Sequence, residues 1–163
     1  MKLRALFLFI IFNFLFNPAG AQVEIPKDTP QLEFALQLKV TLGEAYSCGE
    51  TQHGRRTIIP ITGGTFEGPN IKGTIVNGGA DYQIANSAGR TELEAIYCIK
   101  TDDDVCIHIR NRGIIADGYF KCAPQFEAPA DSKYAWLNNA LFVCSPDWTQ
   151  QFKGIVLNIW KIK

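Results

Sequence analysis

The chain has 163 residues, 47% of them apolar, with 16 basic and 16 acidic side chains, 14 glycines, eight prolines and five cysteines. Such a balance offers no basic footprint for nucleic acid, because beyond the first residues Lys and Arg gather only at Arg55-Arg56 and Arg110/Arg112. Without residues 1–21, which hold Lys2 and Arg4 and no acid, 14 basic face 16 acidic side chains, a net charge near −2 over a length that suits one domain.

Residues 1–21 read as an export signal. Lys2 and Arg4 precede an apolar run from Ala5 to Phe16, broken only by Asn13, and Pro18 leads into Ala19-Gly20-Ala21. This layout predicts a secretory signal peptide cleaved after Ala21, leaving residues 22–163 as the mature domain in a periplasm, a lumen or the extracellular medium. The apolar run is about twelve residues, short of the roughly 18 that an uncleaved membrane anchor needs. The expectation is therefore an exported protein with no membrane attachment after cleavage.

Downstream the pattern is period-two. Leu32, Phe34, Leu36, Leu38 and Val40 alternate with polar residues and predict a half-buried strand. Further strands are expected over 56–61 and 70–76, separated by Gly63-Gly64 and Gly68-Pro69. Others follow over 82–85, 92–101, 105–112, 119–127, 140–144 and 154–162. Short strands divided by Gly, Pro and Asn turns suggest an all-β barrel or sandwich.

The turn at Asp102-Asp103-Asp104 permits a sharper deduction. Leu93, Ala95, Tyr97 and Ile99 form the apolar face of one strand and Val105, Ile107 and Ile109 that of the next. Opposed residues in a hairpin share a face, so odd positions pair with odd. Two registers satisfy this. One sets Cys98 opposite His108 and Glu94 opposite Arg112; the other sets Cys98 opposite Cys106 and Glu94 opposite Arg110. Either way Glu94 meets an arginine, on a charged outer ladder or on a polar wall inside a pocket.

All five cysteines, Cys48, Cys98, Cys106, Cys122 and Cys144, fall in the mature domain, where export permits oxidation. No C-x-x-C pair or histidine spacing suggests a metal site. Cys122 and Cys144 lie on successive predicted strands and are the first choice for a disulfide, with Cys98 and Cys106 second and Cys48 the odd thiol; five small buried hydrophobes are the alternative. The glycine-rich stretch over 63–79 fits neither phosphate-loop nor dinucleotide fingerprint, and G-x-S-x-G and H-E-x-x-H are missing, so no cofactor or metal is expected.

Four ordered segments carry a resemblance: residues 54–69 (GRRTIIPITGGTFEGP), Gly78-Gly79-Ala80-Asp81-Tyr82-Gln83, Arg110-Asn111-Arg112-Gly113 and Tyr134-Ala135-Trp136-Leu137-Asn138. Together they resemble the DUF3237 family, also called UPF0311, across nearly all of the mature chain. The resemblance implies a single closed antiparallel β-barrel of lipocalin-like appearance and names no reaction. It also implies a more open pocket, since longer relatives insert a segment where this chain has only residues 113–118 between Arg112 and Tyr119.

Asp81 follows glycines that allow close backbone approach, so its carboxylate either projects into the barrel mouth or caps its own turn. Arg112 is either a binding-site cation or the partner of Asp81 or Glu94. These residue types favour proton transfer of a lyase or isomerase kind on a small apolar or aromatic molecule. Asp81 or Glu94 is then the base, Arg112 or Arg110 stabilises an enolate or carboxylate, and Asn111, Tyr97, Tyr134 and Trp136 line the site, the last two being alternatively plugs of the barrel. The competing readings are a non-catalytic carrier or sensor and a structural domain with a filled barrel.

Overall fold

In a computed structural model that describes residues 24, 26–148 and 152–163, antiparallel strands form one sheet that closes on itself. The strands are β1 (Leu32–Leu42), β2 (Tyr46–Thr51), β3 (Gly54–Gly68), β4 (Ile71–Ile75), β5 (Gly79–Ala85), β6 (Thr91–Thr101), β7 (Cys106–Ala116), β8 (Tyr119–Glu127), β9 (Phe142–Asp147) and β10 (Gly154–Ile162). From β1 the ladder passes through β10, β9, β8, β7 and β6, crosses β4 and β5, and returns through β3 to β1. On one flank of β3 lie β1 and β2; on the other lie β4 and β5. Each of those pairs fills a single position, so ten strands make a closed barrel of eight positions. The export signal expected over residues 1–21 lies outside the described residues.

Three departures from the sequence expectation have local causes. A bulge after Phe34 shifts the β1 register, so Leu36, Leu38 and Val40 are buried while Leu32 and Phe34 face out, Phe34 resting edge-on against Trp160. Strand β3 runs through Gly63-Gly64 instead of stopping there. At Gly64, with φ +131°, a Cβ would lie 2.0 Å from the Lys39 carbonyl oxygen, so the glycine lets β3 bend hard against β1. Strand β2 is exposed along its whole length and carries no apolar alternation that would reveal it.

The β6–β7 hairpin takes the register that opposes Glu94 to Arg112 and Cys98 to His108. Odd residues of both strands face the core: Leu93, Ala95, Tyr97 and Ile99 meet Ile107, Ile109 and Asn111, all buried. Between β8 and β9 the ladder is thin, with Cys122 opposite Cys144 as the single bridge among the described residues. Pro124 and Pro146, two positions from that bridge, have no N–H with which to extend it. All five cysteines are free thiols in this structure. The second expected pair is not in direct register, because Cys106 lies opposite Lys100 and Cys98 opposite His108.

One end of the barrel is closed by a 3-10 turn at Ala135–Asn139, which buries Leu137 beneath the strands. Trp136 packs on Phe142 and the Asn138 side chain bonds both the N–H and the carbonyl of Ala128. The Tyr134 hydroxyl donates to Asp103 Oδ1 at 2.6 Å while Lys133 Nζ sits 2.9 Å from Asp103 Oδ2, tying this plug to the β6–β7 turn. These contacts, the tyrosine hydroxyl first and the lysine second, hold the Asp103 carboxyl well below the usual range. Tyr134 and Trp136, for which the sequence left barrel plug and ligand contact open, are parts of the plug. Replacing Tyr134→Phe should leave the barrel folded but speed amide hydrogen exchange over Ala135–Asn139 by about tenfold, as loss of one charge-assisted hydrogen bond implies.

Candidate functional site

The closed register sorts the polar residues of β5, β6 and β7 onto two faces. Asp81 opposes Ala95, Ala95 opposes Asn111, and Asn111 opposes Pro124, so these residues share one inward-facing row. Tyr97 lies two residues along β6 on the same face. Ala95 is the small member, and its short side chain leaves the space over the row to its longer neighbours. Position along β6 places the row in the half of the barrel away from the plug, since the plug is anchored at Asp103, just beyond the other end of β6.

Within this row several polar atoms lack partners. Asp81 Oδ2 accepts from Gln83 Nε2 at 2.7 Å. Asp81 Oδ1, the Tyr97 hydroxyl and Asn111 Oδ1 are buried with no hydrogen-bond partner among the described residues. Tyr97 is 3% exposed and Asn111 2%. An unpaired buried polar atom costs roughly 1–3 kcal/mol, so a cluster of them is not the product of packing alone. Burial pushes the Asp81 carboxyl above its ordinary range, against the opposing pull of the Gln83 amide and the Glu94 backbone. The Tyr97 hydroxyl is driven far up by burial, then by the Cys144 and Cys122 sulfurs and Asp81, so it stays protonated and serves only as a neutral donor or acceptor. Close approach is built into the backbone here: a Cβ on Gly79 would lie 2.4 Å from the Tyr97 Cβ, so only glycine admits the tyrosine at this point.

The charged residues singled out from the sequence lie on the opposite face. Tyr82, Glu94, Arg112 and Ala123 form a cross-strand row whose side chains point away from the core. Arg112 Nε is 2.7 Å from Glu94 Oε1 and Arg110 Nη1 is 3.5 Å from the same oxygen. Arg112, with Arg110 adding a weaker pull, holds Glu94 ionised and below the usual carboxylate range. An ion pair this exposed contributes at most about 1 kcal/mol. The row lines an outer cleft of about 1100 Å³ together with Ile84, Ile114 and Lys121.

Asp81, Tyr97 and Asn111 are therefore brought together, whereas Glu94, Arg110 and Arg112 are not joined to them. The two carboxylates offered as alternative bases have different fates, one buried and poorly paired, the other exposed and neutralised. Of the two carboxylates offered as partners for Arg112, the structure pairs it with Glu94, and among the described residues no arginine reaches Asp81, on the other face of the sheet. Gln83, which orients Asp81, was quoted in the sequence only as part of a motif. Its period-two spacing from Asp81 is the signal that places both on one face.

Comparison with known proteins adds to this geometry. The family described as "Protein of unknown function (DUF3237)" matches residues 30–118 and 115–162. A UPF0311 protein of Clostridium acetobutylicum is 35% identical over 127 residues, covering 67% of this chain and 78% of that protein. The crystal structure of a protein of unknown function from Rhodopseudomonas palustris superposes with a TM-score of 0.75 at 30% identity, over 83% of this chain and 99% of the other. A hydroalkoxylation enzyme of Penicillium herquei is 28% identical over 134 residues, covering 82% of this chain and 85% of the enzyme. A solved enzyme structure from the same fungus matches with a TM-score of 0.71 at 27% identity, covering 86% of this chain and all of the other, 100%.

The raised Asp81 carboxyl has a consequence for stability. The native state holds a proton that the unfolded chain has already released, so this group's contribution to stability falls as pH rises from about 3.9 through the higher native value. Asp81→Asn, which keeps an acceptor for Gln83 and removes the buried charge, should raise the unfolding midpoint at pH 7 and flatten its decline above pH ~4. An unaltered pH profile would show that Asp81 is not buried as described.

Proposed function

The chain belongs to the DUF3237 family, and we propose that it binds a small, largely apolar organic molecule against the inward row and moves a proton on it. The observation that carries this reading is the convergence of three unpartnered polar atoms on one buried face, one of them on a carboxyl whose proton affinity is raised by burial. In this role Asp81 takes and returns the proton. A carboxyl held above its ordinary range transfers protons near neutral pH better than one at 4 does. The Tyr97 hydroxyl donates to, and Asn111 Oδ1 accepts from, an oxygen of the ligand, fixing it over Ala95. Leu93 and Ile109 supply apolar walls.

The Penicillium herquei relative supports catalysis over mere carriage. Hydroalkoxylation is the addition of an alcohol O–H across a C=C bond, which requires a proton to leave oxygen and another to reach carbon. One carboxyl flanked by a neutral donor and a neutral acceptor suits such an isomerisation, and nothing in it consumes a cofactor. Export completes the proposal: the chain works after cleavage behind Ala21, so the protein recovered from the exported fraction has the intact mass of residues 22–163.

A direct test uses 2-allylphenol, which carries a hydroxyl and an alkene, as the probe. Its addition should perturb the NMR signals of Tyr97 and Asn111 and give the cyclic ether, with deuterium entering carbon in heavy water. Asp81→Asn should retain binding and lose ~10²–10⁴-fold in turnover; Asn111→Ala should weaken binding itself. Binding with no conversion of this or related allylphenols favours the carrier, and undisturbed Tyr97 and Asn111 signals across the series rule out the inner row as the site.

A further inference from the structure

Apart from the proposed site, the β8–β9 junction carries chemistry of its own. Cys122 and Cys144 oppose each other across the thinnest part of the barrel wall, as the single bridge between those strands among the described residues. Both are buried, at 5% and 1% exposure. Directly opposed residues of an antiparallel pair have Cα atoms about 4.5–5.5 Å apart, inside the roughly 4.4–6.8 Å that a disulfide spans. The thiols already interact: contact with the Cys122 sulfur, and after it burial, keeps the proton on Cys144. Both side chains point to the core: a Cβ on Gly113 would lie 2.5 Å from the Cys122 sulfur. The neighbouring Ala123 and Val143 line the outer cleft on the other side of the thin wall. The other three cysteines, Cys48, Cys98 and Cys106, are exposed or partly so, and none stands in direct register with another.

We propose that Cys122 and Cys144 are a modification site, a dithiol that a small disulfide, reaching it as this thin junction opens, converts to a cross-strand disulfide sealing the barrel wall. Cys122 loses its proton and attacks one sulfur of the oxidant, forming a mixed disulfide and releasing one thiol. Cys144 then loses its proton and attacks the Cys122 sulfur, forming the protein S–S bond and releasing the second thiol. Two protein S–H bonds become one S–S bond, the oxidant's S–S bond becomes two S–H bonds, and two electrons pass between them. This assignment does not depend on the inner row being catalytic.

The test equilibrates the folded mature chain with oxidised and reduced glutathione, alkylates the remaining thiols and reads intact mass and a non-reducing peptide map. The wild-type map should recover a Cys122–Cys144 linked peptide. In the variant Cys48→Ser/Cys98→Ser/Cys106→Ser, which leaves the two buried thiols and alters only exposed or partly exposed positions, both should disappear together with no glutathione retained. Closing a loop of this length should raise the unfolding midpoint by on the order of 10 °C, reversed by dithiothreitol. Thiols that stay alkylatable, a glutathione adduct that persists on Cys122, or linkage of Cys98 to Cys106 in its place would each overturn the proposal.

Discussion

Register between β5, β6 and β7 is the constraint on which the functional geometry depends. Side chains alternate with period two, so a slip of one residue in either ladder exchanges the buried and exposed sets completely. The observed pairings, Asp81 to Ala95 and Ala95 to Asn111, send Asp81, Tyr97 and Asn111 inward and Glu94, Arg110 and Arg112 outward. Apolar burial enforces this choice: Ile99, Ile107 and Ile109 are fully buried on the same face, and a slip would put these side chains in water. Burying each such side chain stabilises by roughly 1.5–3 kcal/mol, which outweighs the cost of carrying a few poorly paired polar atoms in with them. The core therefore fixes the orientation of residues that do not themselves stabilise the fold.

How much of this was legible in the sequence depends on which signal each feature leaves. The alternation of β6 and β7 and the three-aspartate turn between them narrow the hairpin to two registers, and the structure adopts one of the two. The family segments pointed to a closed barrel. Strand β2 left no trace, because it is exposed throughout without apolar alternation and forms on the flank of β3 only where β1 has turned away. Gly63-Gly64 gave a misleading trace, since the glycines that usually end a strand here let one continue through a bend.

The candidate site was half legible for a related reason. Parity assigned Glu94, Arg110 and Arg112 to one face of the hairpin but could not say whether that face looked into the barrel, because charged residues line pockets and surfaces alike. Asp81 could not be ranked above Glu94 without knowing that its face is shared with Tyr97 and Asn111. Once the sheet is closed the ranking follows: a carboxylate with two arginines beside it has its charge satisfied, while one whose side-chain partner among the described residues is a neutral amide retains a stronger attraction for a proton.

The polar row and the thin junction are also linked through Asn111. Its side chain interacts with Cys144 of the bridge, while its own Oδ1 is left unpaired. Tyr97 in turn feels both seam sulfurs and Asp81. The least paired segment of the wall thus lies against the least satisfied part of the interior. In a barrel otherwise closed by regular ladders, this is the location with the fewest backbone hydrogen bonds to break, so local opening there exposes the inner row at a lower cost than opening elsewhere. Opening of the β8–β9 junction then requires no unfolding of the plug, which stays fastened to Asp103 at the opposite end.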